Sequence, residues 1–225
     1  MKKILMQVEL HCHTNHSDGV PSVRELIEKA QKELGAVAIT DHNTFSGYNE
    51  AKKMKLKCLL VPGIEVTCKH PKGHAHVGVL GVEELSVKAH CSLDELIDDA
   101  HSRDGVVVNV HPFGGFSRNG FNDVKNAKKF DVIEVLNGNT LPSGNKKAYE
   151  LAQKLNMPMT CGSDAHRLED VGKFACEIDA NSIDGILKCI KKGQVKIPNK
   201  QTSTISLLSA KMKRRIKRKL KSMGG

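Results

Sequence analysis

The sequence predicts a parallel α/β fold in which strands and helices alternate around a closed sheet, and three observations lead there. About seven short apolar runs of strand length alternate with amphipathic runs of helix length, the order expected of a parallel sheet covered by helices. Histidines and carboxylates stand just after these runs, where closed βα barrels and open α/β sheets alike place their sites. The first and last clusters, residues 11–13 and 164–166, can share one pocket only if the sheet closes.

An apolar stretch from Ile4 to Leu10 gives the first strand, read over 8–10, and it ends at His11-Cys12-His13. Residues i and i+2 of a strand share a face, so both imidazoles address one pocket and Cys12 points away. Asp18 follows in a Ser17-Asp18-Gly19 turn. Pro21 opens a helix over 22–34, with Val23, Leu26, Ile27 and Ala30 on one face and Gly35 as its stop. Residues 36–40 form a second strand that runs into Asp41 and His42. A helix over 46–56 returns to a strand at 58–61, which reaches Glu65. The alternation over 75–82 marks a further strand, with His74 and His76 at its start. Next come a helix over 93–103, a strand over 106–110 ending at His111, a strand over 132–136 and a helix over 144–155. A strand over 159–161 then leads to Asp164-Ala165-His166.

An isolated H-x-H pair is more often two surface histidines than two ligands. Here the histidines gather with Asp and Glu at strand ends, a distribution that a solvated surface has no reason to produce. Together they read as one metal site, and imidazole with carboxylate, no thiolate required, suits zinc, manganese or iron. His70, His90 and His101 read as surface residues, and His16 as half exposed beside Asp18.

No apolar run of roughly eighteen residues, the length a membrane span needs, appears. Met1-Lys2-Lys3-Ile4 leads directly to Gln7 and Glu9 instead of a signal-peptide stretch, so the expectation is a soluble cytoplasmic protein. Seven cysteines without a C-x-x-C pair read as reduced thiols. The net charge is +10, but residues 211–221 hold eight basic and no acidic side chains, so the rest of the chain carries +2. From Met212, the residues Ile216, Leu220 and Met223 make one apolar stripe on an otherwise basic helix. The expected division is a domain over 1–200 and a basic amphipathic tail over 201–225. That tail is suited to nucleic-acid phosphates or anionic lipid, or it is simply a solvated terminus.

In order along the chain stand Leu10-His11-Cys12-His13-Thr14 with Ser17-Asp18-Gly19, then Ile39-Thr40-Asp41-His42, Gly63-Ile64-Glu65, and His76 with Gly81 closing its strand. Val110-His111-Pro112-Phe113 and Gly162-Ser163-Asp164-Ala165-His166 complete the series. From Glu9 to about Ile190 it resembles the PHP (polymerase and histidinol phosphatase) domain family. The resemblance implies a distorted (β/α)7 barrel, similar to a TIM barrel, holding two or three divalent ions of manganese, zinc or iron. It also implies nine ligands: His11, His13, Asp18, His42, Glu65, His76, His111, Asp164 and His166. Glu65 would bridge two ions, the first also held by His11, His13 and Asp164 and the second by His76 and His111. Asp18, His42 and His166 would hold a third.

The activity implied is hydrolysis of a phosphoester by a hydroxide shared between metals, with Glu65, Asp164 and His166 at its centre. The substrate would be a phosphomonoester, a nucleoside bisphosphate or a short oligonucleotide. No G-x-S-x-G or Walker-type loop offers another nucleophile or phosphate cradle. Asp41 could hold a ligand imidazole in its tautomer or bond within the strand-to-helix turn. Arg118, in the Gly-rich segment 114–120, and Arg167 could fork onto phosphate oxygens or lie on the surface. Two other readings are a non-catalytic RNA-binding barrel similar to the ribonuclease P protein subunit, and a metal-dependent amidohydrolase.

Overall fold

The computed structural model describes residues 5–71, 73–114 and 120–203. The apolar run before His11 is strand β1 (Leu5–Glu9). Ser22 starts helix α1 (Val23–Glu33): its hydroxyl accepts from the Glu25 N–H, and the Glu25 carboxylate accepts from the Ser22 N–H in return. The helix buries Val23, Leu26, Ile27 and Ala30, the face its spacing picks out. Pro21 precedes the cap instead of opening the helix, and Leu34 instead of Gly35 closes it. Gly35 serves packing, since a Cβ there would stand 2.8 Å from the Met6 Cβ on β1. Strand β2 (Ala36–Ala38), helix α2 (Ser46–Ala51) and strand β3 (Leu59–Val61) follow.

The alternation then breaks. Strands β4 (Gly63–His70) and β5 (Gly73–Leu80) form a hairpin that pairs Glu65 with Gly78 and Thr67 with His76. Helix α3 (Leu93–His101), capped by Ser92 and Glu95, leads to β6 (Val106–Asn109), antiparallel to β5. Helix α4 (Val124–Ala127), strand β7 (Val132–Asn137), helix α5 (Pro142–Leu155) and strand β8 (Met159–Gly162) restore parallel pairing. Strand β9 (Cys176–Asp179) returns antiparallel beside β1, followed by helix α6 (Ile183–Lys191) and strand β10 (Val195–Lys196).

The strands form two five-stranded ladders, β10-β9-β1-β2-β3 and β4-β5-β6-β7-β8, so the fold is mixed α/β with two sheets. The closed, all-parallel sheet expected from alternation is corrected here: among the described residues the strands form two separate sheets, joined only by single bridges, and four of the eight strand pairings are antiparallel. Between β4 and β5 the physical reason is connection length. Parallel neighbours need a crossover of about a dozen residues or more, and the turn from His70 to Gly73 is far too short for one. The ladders touch through single parallel bridges, Cys12 with Ala165 and His42 with Glu65, both at the end where the histidines gather. Their inner faces share one apolar cluster, to which Val8, Ala36, Val61, Val108, Val132 and Cys161 each bring a buried side chain from a different strand. Each fully buried valine of that set contributes roughly 1.5–3 kcal/mol.

Arg118 and residues 204–225, with the expected basic helix, lie outside the described residues. Thr202, near the end of the described chain, is buried and donates to the Thr140 carbonyl at 2.7 Å. All seven cysteines are free thiols. Among the described residues no helix is long and apolar enough to cross a membrane.

Candidate metal centre

β1 ends in a buried acid. The Glu9 carboxylate accepts from the backbone N–H groups of His11 at 3.0 Å, Ser163 at 2.9 Å and Gly172 at 3.0 Å. Burial pushes its pKa up, against the pull of those hydrogen bonds. The anchor ties the chain after β1 to the chain after β8, and bonds from His13 N–H to Ala165 O and from Ala165 N–H to His11 O continue the seam. His11 and His13 therefore face Asp164: His13 Nε2 lies 3.5 Å and His11 Nε2 3.9 Å from Asp164 Oδ1. Cys12 turns the other way and donates to the Ala38 carbonyl, as strand alternation requires.

Glu65, on β4 and 1% exposed, gathers five imidazoles. Its Oε2 lies 3.3 Å from His11 Nε2, 3.2 Å from His13 Nε2 and 3.4 Å from His42 Nδ1. Its Oε1 lies 3.1 Å from His76 Nδ1 and 2.9 Å from His111 Nε2. A carboxylate has about four acceptor sites, fewer than the rings around it. His13 Nε2, His42 Nδ1 and His76 Nδ1 make no hydrogen bond despite their closeness. The Nδ1 of His11 lies 2.9 Å from Glu134 Oε1, so a neutral His11 turns a bare Nε2 lone pair on Glu65. Lone pairs crowded on a buried carboxylate repel unless a cation stands among them. These residues therefore fit a divalent metal cluster.

The electrostatics follow the same geometry. Burial disfavours charge on His11, but Glu134, Glu65 and Asp164 outweigh it and hold the ring well above its ordinary value. Burial is likewise overcome at His13, which Asp164 and Glu65 raise to about 9. Burial would raise Glu65, yet His11 and His42 hold it well below the carboxylate range. At His42 burial prevails, helped by the charges of His13 and His76, and brings the ring to about 4. Burial also lowers His166.

Four overlapping groups have ligand atoms within 4.8 Å of one another: His13, Asp18, His42 and His166; His11, Glu65 and His111; His11, His13 and Asp164; His42, Glu65 and His76. All nine residues expected as ligands fall within them. The grouping differs from the expected partition: His42 faces Glu65 as well as Asp18, His13 faces both Asp164 and the Asp18 group, and His111 groups with His11 while His76 groups with His42. Asp18 is the open side of the centre, 45% exposed, with His166 Nε2 at 3.0 Å and His42 Nε2 at 3.5 Å from its Oδ1. His111 and Asp164 hold left-handed backbone, φ 31° and 48°, a conformation that costs about 1–3 kcal/mol in a non-glycine residue.

Asp41 bonds the turn at Thr14 and Ser17 rather than an imidazole. Oδ1 accepts from Thr14 N–H at 2.7 Å and Ser17 Oγ at 2.6 Å, and Oδ2 accepts from Thr14 Oγ1 at 2.6 Å, so the carboxylate pins the turn that carries Asp18. Arg167 forks onto Asp170 and pairs with Glu169, away from the phosphate role considered for it. His74 is exposed, and His16 pairs with Glu50 at 2.7 Å. Sequence reasoning missed Glu9, Glu134, Asn137 and Asn139. The signal for Glu134 was present: it is a lone carboxylate in the otherwise apolar run of β7, and it is 2% exposed.

Residues 9–120 match the model of the PHP domain, and residues 142–195 match that of a PHP-associated region. An uncharacterized protein of Methanocaldococcus jannaschii is 30% identical over 175 residues, 74% of this chain and 68% of that protein. A 5'-3' exoribonuclease of Haemophilus influenzae is 30% identical over 83 residues, 36% of this chain and 30% of the enzyme. Among solved structures, a two-domain protein of Bacteroides vulgatus containing a predicted PHP-like metal-dependent phosphoesterase superposes with a TM-score of 0.70 at 16% identity. The match covers 87% of this chain and 65% of that one.

Proposed function

Since the chain belongs to the PHP domain family, we propose that it is a phosphoesterase whose nine histidines and carboxylates hold two or three ions of manganese, zinc or iron. The observation that carries this reading is Glu65, with five imidazole nitrogens within 3.4 Å of its carboxylate, an arrangement suited to bridging two ions. Such ions, bound close together, lower the pKa of a shared water and clamp the attacking and leaving oxygens of an in-line displacement. His11, His13 and Asp164 would share one ion with Glu65, and His76 and His111 would share the other. Asp18, His42 and His166 would hold the third, on the exposed side of the centre, where a substrate phosphate could reach it. Burial lowers His166, which favours the neutral ring that ligation needs.

The proposed architecture is a distorted (β/α)7 barrel over residues 1–200, a reading supported by the two bridges that join the sheets at the ligand end. The tail, 201–225, and Arg118 supply positive charge for phosphate groups outside the metals. Among the three substrate classes a short oligonucleotide is favoured, because a relative named as an exoribonuclease shares 30% identity over 83 residues and the tail is basic. A purely RNA-binding role has no need of nine converging ligand side chains, and so ranks second.

The test is phosphate or nucleotide release from a nucleoside monophosphate, a nucleoside 3',5'-bisphosphate and a 5'-phosphorylated RNA oligonucleotide, with manganese, zinc and iron added separately. Release that a chelator abolishes and one metal restores is expected. Oligonucleotide binding without turnover under every metal would replace this reading with the RNA-binding one.

A further inference from the structure

β7 contributes none of the nine candidate ligands, yet it reaches several of them. Glu134, in the middle of that strand, is 2% exposed. Its Oε1 lies 2.9 Å from His11 Nδ1, and its Oε2 accepts from the His111 backbone N–H at 2.9 Å and from Asn137 Nδ2 at 2.9 Å. Two different strand ends, those of β1 and β6, therefore meet on one carboxylate. We infer that Glu134 is a positioning residue that fixes the tautomer of His11 and the backbone of His111, preparing one ligand for each of the two ions that Glu65 would bridge, from outside the ligand set. This rests on the metal-binding reading of the site.

The chemistry of each contact supports the assignment. An ionised carboxylate only accepts, so a bonded His11 carries its proton on Nδ1 and turns the Nε2 lone pair inward, 3.3 Å from Glu65. At His111 the backbone is left-handed, φ 31°, and Glu134 accepts its N–H there, holding Nε2 2.9 Å from Glu65. His11, Glu65 and His111 are one of the four candidate groups, and Glu134 bonds two of its three members. Gly162 closes the pocket around the contact. A Cβ at that position would stand 2.4 Å from the His11 Cβ and 2.8 Å from Glu134 Oε1.

Asn137 extends the network. Its Oδ1 accepts from the Asn139 N–H, and Asn139 Nδ2 donates to the Asp164 carbonyl and lies 3.4 Å from His166 Nδ1. β7 and the turn that follows it, neither of which carries a ligand, thus touch both ends of the centre.

Glu134→Gln is the discriminating variant. An amide offers one acceptor oxygen where two donors, His11 Nδ1–H and His111 N–H, each need one, so one of them loses its partner. Titration with zinc should show affinity for at least one ion reduced roughly 10–100-fold. The absorption spectrum of the cobalt(II)-loaded protein should change, which a role in fold stability alone would not produce. Equal affinities and equal cobalt spectra in a wild-type protein that does bind ions overturn this inference and leave the proposed function standing. A wild type that binds no ion overturns both. The second measurement needs no variant: nitrogen-15 NMR of the zinc-loaded wild type should find His11 protonated at Nδ1, and protonation at Nε2 overturns the inference.

Discussion

Ser163 donates its backbone N–H to the Glu9 carboxylate at 2.9 Å, joining residues 154 apart in the sequence. This bond, with those from His11 and Gly172, sets the chain after β1 beside the chain after β8, and with it His11 and His13 beside Asp164. Glu9→Ala leaves three backbone donors without their acceptor, each worth about 1–3 kcal/mol if it stays buried. Partial relaxation brings the expected loss to about 2–4 kcal/mol, read as a lower urea midpoint, with weaker metal binding alongside. A midpoint equal to that of the wild type contradicts the anchoring role.

Gly162→Ala should separate fold from site. The added methyl meets the His11 Cβ and Glu134 Oε1 inside van der Waals distance, and relieving that overlap costs about 1–3 kcal/mol. The His11 Cβ cannot yield without its backbone, so the segment at His11 shifts and carries its ring with it, and zinc affinity falls while the circular dichroism spectrum keeps its wild-type shape. Undiminished zinc affinity would show that the pocket around His11 has room to spare.

Asp41→Asn should act on one side of the centre only. Asp41 holds Thr14 and Ser17 and so sets the turn that presents Asp18. Exchanging one oxygen for an amide removes an acceptor from that turn. The expected result is about tenfold or greater weakening of the ion held by Asp18, His42 and His166, with the ions at Glu65 retained. Uniform loss across all ions contradicts this division.

Metal affinity should climb with pH. In the metal-free protein burial opposes protonation of His13, but Asp164 and Glu65 raise it to about 9 from an ordinary 6.5. A folded-state value above the unfolded one means that this pairing stabilises the metal-free fold fully below about 6.5, and that the contribution fades as pH rises through about 9. Ligation needs the neutral ring, so an ion displaces a proton from His13 below about 9 and none well above it. Zinc titration calorimetry in buffers of different ionisation heat should record that proton release shrinking at high pH. Release that is the same at pH 7 and pH 10 would contradict it.

The candidate site was more legible than the connections between its strands. His11 and His13, Asp41 and His42, and Asp164 and His166 stand at strand ends in sequence because side-chain alternation and short βα turns are local properties. Strand β4 was hidden because Ile64, Glu65, Val66 and Thr67 are all buried, which erases the period-2 pattern. β9, four residues long, gives too few alternations to stand out. Helix α6 did carry a readable signal, Ser182 as its cap and Ile183, Ile186 and Ile190 on one face. The antiparallel return of β9 and the contacts of Glu9 and Glu134 depend on partners far along the chain, which no local pattern encodes. Asp41 shows the limit from the other side: its residue type suited an imidazole partner, and only the fold placed Thr14 and Ser17 against it.

The measurement that bears most directly on the metal centre is elemental analysis of wild-type and Glu65→Ala protein purified without chelator, with phosphoester hydrolysis measured on the same samples. Two or more ions per wild-type chain are expected. In Glu65→Ala at least one ion is lost and hydrolysis falls by more than the roughly 10–100-fold typical of a residue that only supports a ligand. Full metal content and full activity in that variant would contradict the bridging role of Glu65.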